Sequence, residues 1–170
     1  EQGVMERFDL TELVQSVLAA SGLMLKQKEI KVECGLTDPV FVMGDEFKIE
    51  EVVTNYLTNA VNHAQGEKRI AIRAVRRVDA DGARIRVSVF NTGQPIPEEA
   101  LPNLWTKFYK VDKARTRAYG GSGIGLSIVK AIMESHRQAY GVENREDGVE
   151  FWFELACAKE DLDCTESRTP

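Results

Sequence analysis

The sequence has little of what metal, disulfide or nucleic-acid chemistry requires. Its 170 residues include two histidines and three cysteines, Cys34, Cys157 and Cys164, which show no CxxC spacing. We therefore expect no soft-metal centre and no disulfide framework, and we predict a reducing, cytoplasmic setting. Lys and Arg number 22 against 27 Asp and Glu, a formal net charge of −5. Such a balance argues against a nucleic-acid partner, so any phosphate site must be local.

Long apolar runs are also absent. The most apolar stretch near the N-terminus, residues 13–25, is interrupted by Gln15, Ser16, Ser21 and Gly22, and it is too short to span a bilayer or to serve as a signal peptide. The chain does not start with Met, so we expect a fragment of a longer protein. With 43% hydrophobic residues, a chain of this length can form one compact core without a covalent or metal staple.

Apolar periodicity and turn residues predict a chain of mixed α and β structure. In order, the predicted elements are a helix over 9–28, short strands at 30–34 and 40–43, a helix over 45–64, a hairpin of 68–77 and 84–90, a helix over 123–135, and a strand pair at 139–143 and 149–155. This order predicts an α+β fold in which a mixed sheet carries its helices on one face. Residues 1–155 form the predicted domain, and the polar residues 156–170 form a predicted flexible tail.

The second predicted helix carries the first chemical signal. Opposite its apolar stripe, five polar residues fall together at spacings of three and four: Glu51, Asn55, Asn59, Asn62 and His63. A solvated polar face is the simple alternative, but such a face favours Glu, Lys and Gln over Asn. Carboxamides offer oxygens to a hard cation and N–H donors to phosphate, so the asparagine row suits Mg²⁺ together with a polyphosphate.

A glycine-rich segment, Gly120-Gly-Ser-Gly-Ile-Gly-Leu126, stands directly before the third predicted helix. Glycines let backbone approach a ligand closely, and a helix N-terminus presents free N–H groups to phosphate. The alternative is a hinge or a tight loop. The segment is neither a Walker loop, because no Gly-Lys-Ser/Thr follows, nor a Rossmann fingerprint, because no strand runs directly into it.

The third signal, Asn91-Thr-Gly93-Gln-Pro95-Ile-Pro97, follows an alternating strand. It could be a plain turn that leads into a short helix. In a functional interpretation, Asn91 lies at the mouth of the sheet, where its side-chain oxygen could accept a hydrogen bond from an exocyclic amine of a base. Gly93 would then leave room for the ring of that base.

The three signals, in this order, resemble the ATP-binding catalytic domain of two-component sensor histidine kinases. Residues 51–60 look like the N box of that family, 91–97 like its first glycine box, 108–112 like its F box, 121–126 like its second glycine box and 148–151 like its last. The resemblance covers residues 8–155. It implies the Bergerat-type two-layer α/β sandwich shared with Hsp90, DNA gyrase and MutL, with a mostly antiparallel mixed sheet, three helices on one face and a mobile ATP lid at 97–120.

The resemblance also assigns roles to single residues. Asn59 would coordinate Mg²⁺, and Asn55 would support the metal or the phosphates. The candidate catalytic residues are Asn55, Lys110 and Glu51, the last as a general base. The implied ATP-binding residues are Asn55, Asn59, Asn62, His63, Asn91, Gly93, Ile96, Tyr109, Lys110, Gly121, Gly123, Ile124, Gly125 and Leu126.

Several positions depart from the family pattern. Asn91 replaces the usual Asp, and Pro95 replaces a glycine, so base recognition is expected to be weakened rather than lost. Lys110 stands where many members have an arginine, which retains the charge but not the bidentate geometry. Nothing before Phe8 resembles the phosphoacceptor histidine segment, and for His136 a satisfied or solvated imidazole is expected.

The resemblance therefore implies an enzyme that binds Mg-ATP and transfers the γ-phosphoryl group to a histidine on an upstream dimerisation hairpin. Its implied partners are that hairpin and, indirectly, the receiver domain of a response regulator. The full-length protein would be a membrane-bound homodimer with this domain in the cytoplasm. Two alternatives stay open: a non-catalytic nucleotide-binding module of the same fold, and a serine-directed kinase similar to the anti-sigma factor kinases.

Overall fold

The structure, a computed structural model, describes residues 4–106 and 125–158. Its strands are β1 (Glu6–Asp9), β2 (Lys31–Cys34), β3 (Phe41–Gly44), β4 (Arg69–Asp79), β5 (Gly82–Thr92), β6 (Tyr140–Asn144) and β7 (Gly148–Ala156). Its helices are α1 (Leu10–Ala20), α2 (Gly22–Gln27), α3 (Glu46–His63) and α4 (Gly125–Ser135), with a 3-10 turn at Leu101–Asn103. The predicted mixture of helices and strands is confirmed.

Five strands form the main sheet, in the order β2-β4-β5-β7-β6. β2 runs parallel to β4, and the other pairs of this sheet are antiparallel. The long strands β4 and β5 form the predicted hairpin, in which Asp79 lies opposite Gly82 beside a two-residue turn. A separate two-stranded sheet pairs β1 with β3. The expected α+β fold with a mixed, mostly antiparallel sheet is thus confirmed.

One face of the main sheet is apolar and the other is charged. Val87 of β5 lies opposite Phe153 of β7 on the buried face, whereas the neighbouring pair, Arg86 and Glu154, lies on the other face. Helices α1, α3 and α4 contribute buried residues to the same core as the apolar face, so the domain has two layers. None of the helices within residues 4–106 and 125–158 is long and apolar enough to cross a membrane.

The start of α3 is fixed by a cap and by a contact with α4. The carboxylate of Asp45, the N-cap residue, accepts a hydrogen bond from the backbone N–H of Lys48. The backbone N–H of Asp45 donates to Nε2 of His136 at 3.0 Å. Because an N–H can only donate, Nε2 is unprotonated and Nδ1 carries the proton, which it donates to the carbonyl oxygen of Ile132 at 2.8 Å. His136 is therefore satisfied, as expected.

The N-terminal part of the chain differs from the prediction. The helix expected over 9–28 is two helices, α1 and α2, because the helical hydrogen bonding is interrupted at Ser21, which ends α1 and precedes α2. The strands expected at 30–34 and 40–43 are present as β2 and β3, but they belong to different sheets. β1 was not predicted. Its only buried side chain is Phe8, so the strand shows no alternation that sequence analysis could detect.

The C-terminal boundary also needs a correction. β7 continues to Ala156, and Cys157 forms a bridge with Val42 of β3. Ala158 is buried, and its backbone N–H donates to the carbonyl oxygen of Phe41. Residues 156–158, which we assigned to the flexible tail, are therefore part of the fold. Residues 159–170 lie outside the described part of the chain.

The first residues of the predicted lid, 97–120, include side chains that pack against the core. Ala100 and Leu104 are buried, and the ring of Trp105 meets that of Tyr140 edge to face at 4.9 Å between centroids. Ala100, Leu104 and Trp105 thus tie this first part of the predicted lid to the core. The rest of the predicted lid, residues 107–120, lies outside the described residues.

Candidate functional site

The asparagine row of α3 begins with Asn55, whose side-chain amide is oriented by one hydrogen bond. Its Nδ2 donates a hydrogen bond of 2.9 Å to the carbonyl oxygen of Glu51, one turn earlier. Its Oδ1 faces the first residue of α4, because a Cβ placed on Gly125 would lie 3.0 Å from that oxygen. The glycine thus allows the asparagine to approach the start of α4.

The start of α4 lies beside Asn55. The first-turn N–H groups of a helix have no partner within the helix and carry the positive end of its dipole. Leu126, predicted to contact the nucleotide, is half-buried and packs against the hydrophobic core. A helix start of this kind has the polarity that favours an anion such as a phosphate.

Asn59 lies one turn after Asn55 on the same face of α3. Its side chain is half-buried, and its Nδ2 is fully buried without a hydrogen-bond partner among residues 4–106 and 125–158. A buried donor without a partner costs free energy and is uncommon away from functional sites. With Nδ2 buried, Oδ1 is the amide atom that remains for a ligand.

Asn91 lies at the end of β5 on the helix-covered face of the sheet. It is 2% exposed and stands opposite Ile70 on one side and Val149 on the other. Its Nδ2 donates to the carbonyl oxygen of Thr92 at 3.2 Å, which orients the amide. No hydrogen bond to its Oδ1 is formed by the residues that the structure describes, so this oxygen is the acceptor that a ligand would meet.

Gly93 joins the end of β5 to the end of α3. Its φ is +153°, and a Cβ here would lie 2.7 Å from the carbonyl oxygen of His63. A backbone hydrogen bond from Gln65 to Thr92 at 2.9 Å holds the same junction, and a second, from Gly93 to Asp147 at 3.1 Å, ties the end of β5 to the turn between β6 and β7. The end of α3 thus occupies the space that a side chain at position 93 would need. The glycine is required for this packing, which the sequence did not reveal, and not for the expected ring of a base.

Ile96 is held by a residue that sequence reasoning missed. Its side chain is buried in the core. Its backbone N–H donates to Oδ1 of Asn144, and Nδ2 of Asn144 donates to its carbonyl oxygen, both at 2.9 Å. The predicted nucleotide contact at Ile96 is therefore a buried anchor of the loop that follows β5. No sequence signal identified Asn144, which stands in a turn-like run of polar residues.

His63 closes the polar face of α3 as a neutral side chain. It is 8% exposed, and burial lowers its pKa to about 4. At neutral pH it therefore brings no positive charge to a phosphate. Asn62 and Glu51, by contrast, are exposed, so they are accessible to a ligand or to a partner.

The three sequence motifs meet along this one helix. Asn55 contacts the start of α4, His63 contacts the turn after β5, and Asn59 lies between them. The nine residues from Asn55 to His63 are separated by eight steps along the helix, about 12 Å. The N-box face therefore runs from the glycine start of α4 at one end to the turn after Asn91 at the other, and we refer to the space along it as the cleft.

Five predicted site residues lie outside the described part of the chain: Tyr109, Lys110, Gly121, Gly123 and Ile124. Within residues 4–106 and 125–158, no group of three or more His, Cys, Asp or Glu side chains is placed to hold a metal ion. The oxygen donors that α3 offers to a hard cation include the amide oxygens of Asn55 and Asn59.

Comparison with known proteins agrees with this arrangement. The family model described as histidine kinase-, DNA gyrase B-, and HSP90-like ATPase matches residues 44–159, more than half of the chain. The chain belongs to this family. Its solved relatives include the catalytic domain of the histidine kinase ThkA, with a TM-score of 0.75 and 30% identity, covering 91% of this chain and 96% of that one.

Other relatives are longer proteins. Full-length ShkA, solved with AMPPNP, has a TM-score of 0.76 and 25% identity over 93% of this chain and 32% of its own. ThkA has also been solved with the response regulator TrrA, with a TM-score of 0.72 and 27% identity over 92% of this chain and 42% of that one. The sensor histidine kinase AruS of Pseudomonas aeruginosa is 34% identical over 155 residues, which are 89% of this chain and 15% of AruS. The homologues are thus sensor histidine kinases, and neither alternative stated above is favoured.

Proposed function

We propose that this chain binds Mg-ATP along α3 and that, in the whole protein, it transfers the γ-phosphoryl group to a histidine on a dimerisation hairpin. The observation that carries the proposal is the meeting of three motifs on one helix. Asn55 faces the start of α4, Nδ2 of Asn59 is buried without a partner in the described part of the chain, and the end of α3 meets the turn after Asn91. Membership in an ATPase family supports the proposal that the ligand is a nucleotide.

Asn59 and Asn55 are the proposed holders of the magnesium ion. Neutral amide oxygens fit a hard cation that keeps several waters and binds phosphate oxygens as well. The hydrogen bond from Nδ2 of Asn55 to Glu51 fixes its Oδ1 in place, and the burial of Nδ2 in Asn59 leaves its Oδ1 available. When bound, the ion would neutralise negative charge on the phosphates.

Asn91 is the proposed reader of the adenine base. Its amide is oriented by the hydrogen bond to Thr92, which leaves Oδ1 to accept from the exocyclic amine of adenine. We propose that His63 and Asn62 border the ligand without adding charge. The remaining phosphate contacts would come from the first turn of α4, with Gly121, Gly123, Ile124, Tyr109 and Lys110.

Phosphoryl transfer requires positioning and charge neutralisation more than covalent help from the protein. The bond from the γ-phosphorus to the oxygen that bridges to the β-phosphate breaks, and ADP leaves. A phosphorus–nitrogen bond forms at the unprotonated nitrogen of the acceptor imidazole, and the proton on the other ring nitrogen passes to a base or to water. Glu51, exposed one turn before Asn55, is the candidate base on α3.

The partners follow from the relatives. ThkA was solved with a response regulator, and we propose that the phosphoryl group accepted by the hairpin of this protein passes to a receiver domain of that kind. We further propose that the whole protein is a membrane-bound homodimer in which this domain lies on the cytoplasmic side.

Calorimetric titration of ATP, with and without Mg²⁺, tests the proposal. The parent should bind ATP more tightly with Mg²⁺, and Asn59→Ala should weaken Mg-ATP binding at least tenfold, since an interaction with a charged group is worth about 1.5 to 3 kcal/mol. Thr58→Ala, an exposed neighbour on α3, is the matched control and should bind as the parent does. Tight binding of Mg-ATP by Asn59→Ala would remove that residue from the metal site, and no ATP binding by the parent would contradict the proposed function.

A further inference from the structure

Asn144 makes a two-point contact with the loop that follows the proposed base reader. Its Oδ1 accepts from the backbone N–H of Ile96 and its Nδ2 donates to the carbonyl oxygen of Ile96, each at 2.9 Å. A carboxamide that satisfies both backbone groups of one residue acts like a short piece of neighbouring strand. The loop after β5 is therefore tied to β6, a strand with which β5 itself does not pair.

We propose that Asn144 is a positioning residue that sets the affinity of the cleft for the base of the nucleotide. The inference rests on the proposed function, because it requires the base to lie at Asn91. Asn144 acts through the loop and is not itself expected to touch the ligand.

The sheet register places Asn144 in line with the proposed base reader. Asn144 lies opposite Val149, and Val149 lies opposite Asn91. Residues in register across a sheet point to the same face, so both asparagines lie on the helix-covered face. Two strand spacings separate them, about 10 Å. The loop that starts at Asn91 must cross the end of β7 to reach Asn144, and it forms a wall beside Val149.

Three anchors hold this loop. Gly93 donates to the carbonyl oxygen of Asp147 at 3.1 Å, Ile96 is bound by Asn144, and the side chain of Ile96 is 1% exposed. Between these anchors lies Pro95, which has no N–H and a fixed φ. The path of the loop is therefore set by its two ends, and Asn144 fixes the far end.

Replacement of Asn144 should act on this loop without damage to the core. The residue is exposed overall, so its removal leaves no cavity. The loop end would lose both hydrogen bonds to Asn144, a residue 48 positions away along the chain, and the wall beside Val149 would become mobile. The affinity for a ligand that contains the base should therefore fall, whereas the affinity for a ligand made only of phosphates should not change.

Competition binding with two probes in the presence of Mg²⁺, ATP and inorganic tripolyphosphate, tests this inference. Asn144→Ala should weaken ATP binding about tenfold, the effect of about two ordinary hydrogen bonds, and should change tripolyphosphate binding less than about twofold. Asn144→Gln, which keeps the amide but displaces it by one methylene, should show the same selective loss to a smaller degree. Asn91→Leu serves as the reference for loss of base recognition.

Gln27→Ala is the control, because Gln27 is an exposed amide side chain on α2, and it should leave both affinities unchanged. An unchanged ATP affinity in Asn144→Ala, or an equal loss for ATP and tripolyphosphate, would overturn the inference and leave Asn144 a structural residue only. Failure of the parent to bind ATP or tripolyphosphate would instead contradict the proposed function.

Discussion

The burial of the imidazole of His63 links the stability of this domain to pH. An unfolded imidazole binds a proton below pH 6.5, whereas burial keeps this one neutral until about pH 4. Between these values the unfolded chain binds more protons, so the free energy of unfolding falls as the pH falls. We expect His63 to account for about 1 to 2 kcal/mol of the stability lost between pH 7 and pH 5.

Urea denaturation of the parent and of His63→Gln at the two pH values measures this contribution. Glutamine does not titrate, so the variant should lose less stability than the parent over the same interval. His136, the other histidine of the chain, is present in both proteins and cancels in the comparison. Equal losses in the two proteins would show that the burial of His63 does not govern the acid sensitivity.

Single residues could be singled out from the sequence only where their type was itself unexpected. Asn55 and Asn59 were recognisable as candidates because asparagine is a poor helix former. The structure places both on the N-box face of α3. Asn144 carried no such signal, because it stands in Asn-Arg-Glu-Asp-Gly, a composition typical of many turns. Its partner, Ile96, is 48 residues away, and no local pattern encodes such a contact.

At the scale of the elements, His136, which directly follows α4, connects that helix to the N-cap residue of α3, Asp45. This contact can be tested. His136→Phe would leave the part-buried N–H of Asp45 without its acceptor, at a cost of about 1 to 3 kcal/mol in the free energy of unfolding. His136→Gln should recover part of this loss, since its side-chain oxygen can reach the position of Nε2. Denaturant unfolding of the three proteins measures the difference, and equal stability of the Phe and Gln variants would assign the contribution to packing.

Elements were predictable where their signals were local. The bounds of α3 followed from the Asp45 cap and from apolar residues at helical spacing, and the β4–β5 hairpin followed from alternation around Asp79 and Gly82. The pairing of β2 with β4 and of β1 with β3 joins segments that are distant in sequence. Such pairings depend on how the whole core closes, so propensity and periodicity could not supply them.

Across the whole molecule, the open face of the sheet is stabilised by charge where the other face is stabilised by apolar packing. Glu154 is 6% exposed, its Oε2 lies 2.9 Å from Nε of Arg86, and the guanidinium of Arg86 lies 3.6 Å from the ring centroid of Trp152. Glu154→Gln would remove the charge that balances Arg86 at this buried position. We expect a loss of about 1 to 3 kcal/mol in the free energy of unfolding.

Glu143→Gln is the matched control on the same face of the sheet. Glu143 pairs with Arg145 at 2.8 Å, but both side chains are 48% exposed, and exposed ion pairs contribute about 0.2 to 1 kcal/mol. Thermal or urea unfolding of both variants should therefore show a clearly larger effect at Glu154. Equal effects would mean that the burial of Glu154 adds nothing to its ion pair.

β3 is flanked by both ends of the described chain. β1 pairs with one edge of it, from Glu6 opposite Gly44 to Asp9 opposite Phe41, and the chain returns after β7 to bridge Val42 through Cys157. The two ends thus lie within a few residues of each other along one short strand. A circular permutant that joins them by a short linker and opens the exposed turn at 80–81 would keep every strand neighbour. The order in which the elements are connected is therefore separable from the arrangement that forms the cleft.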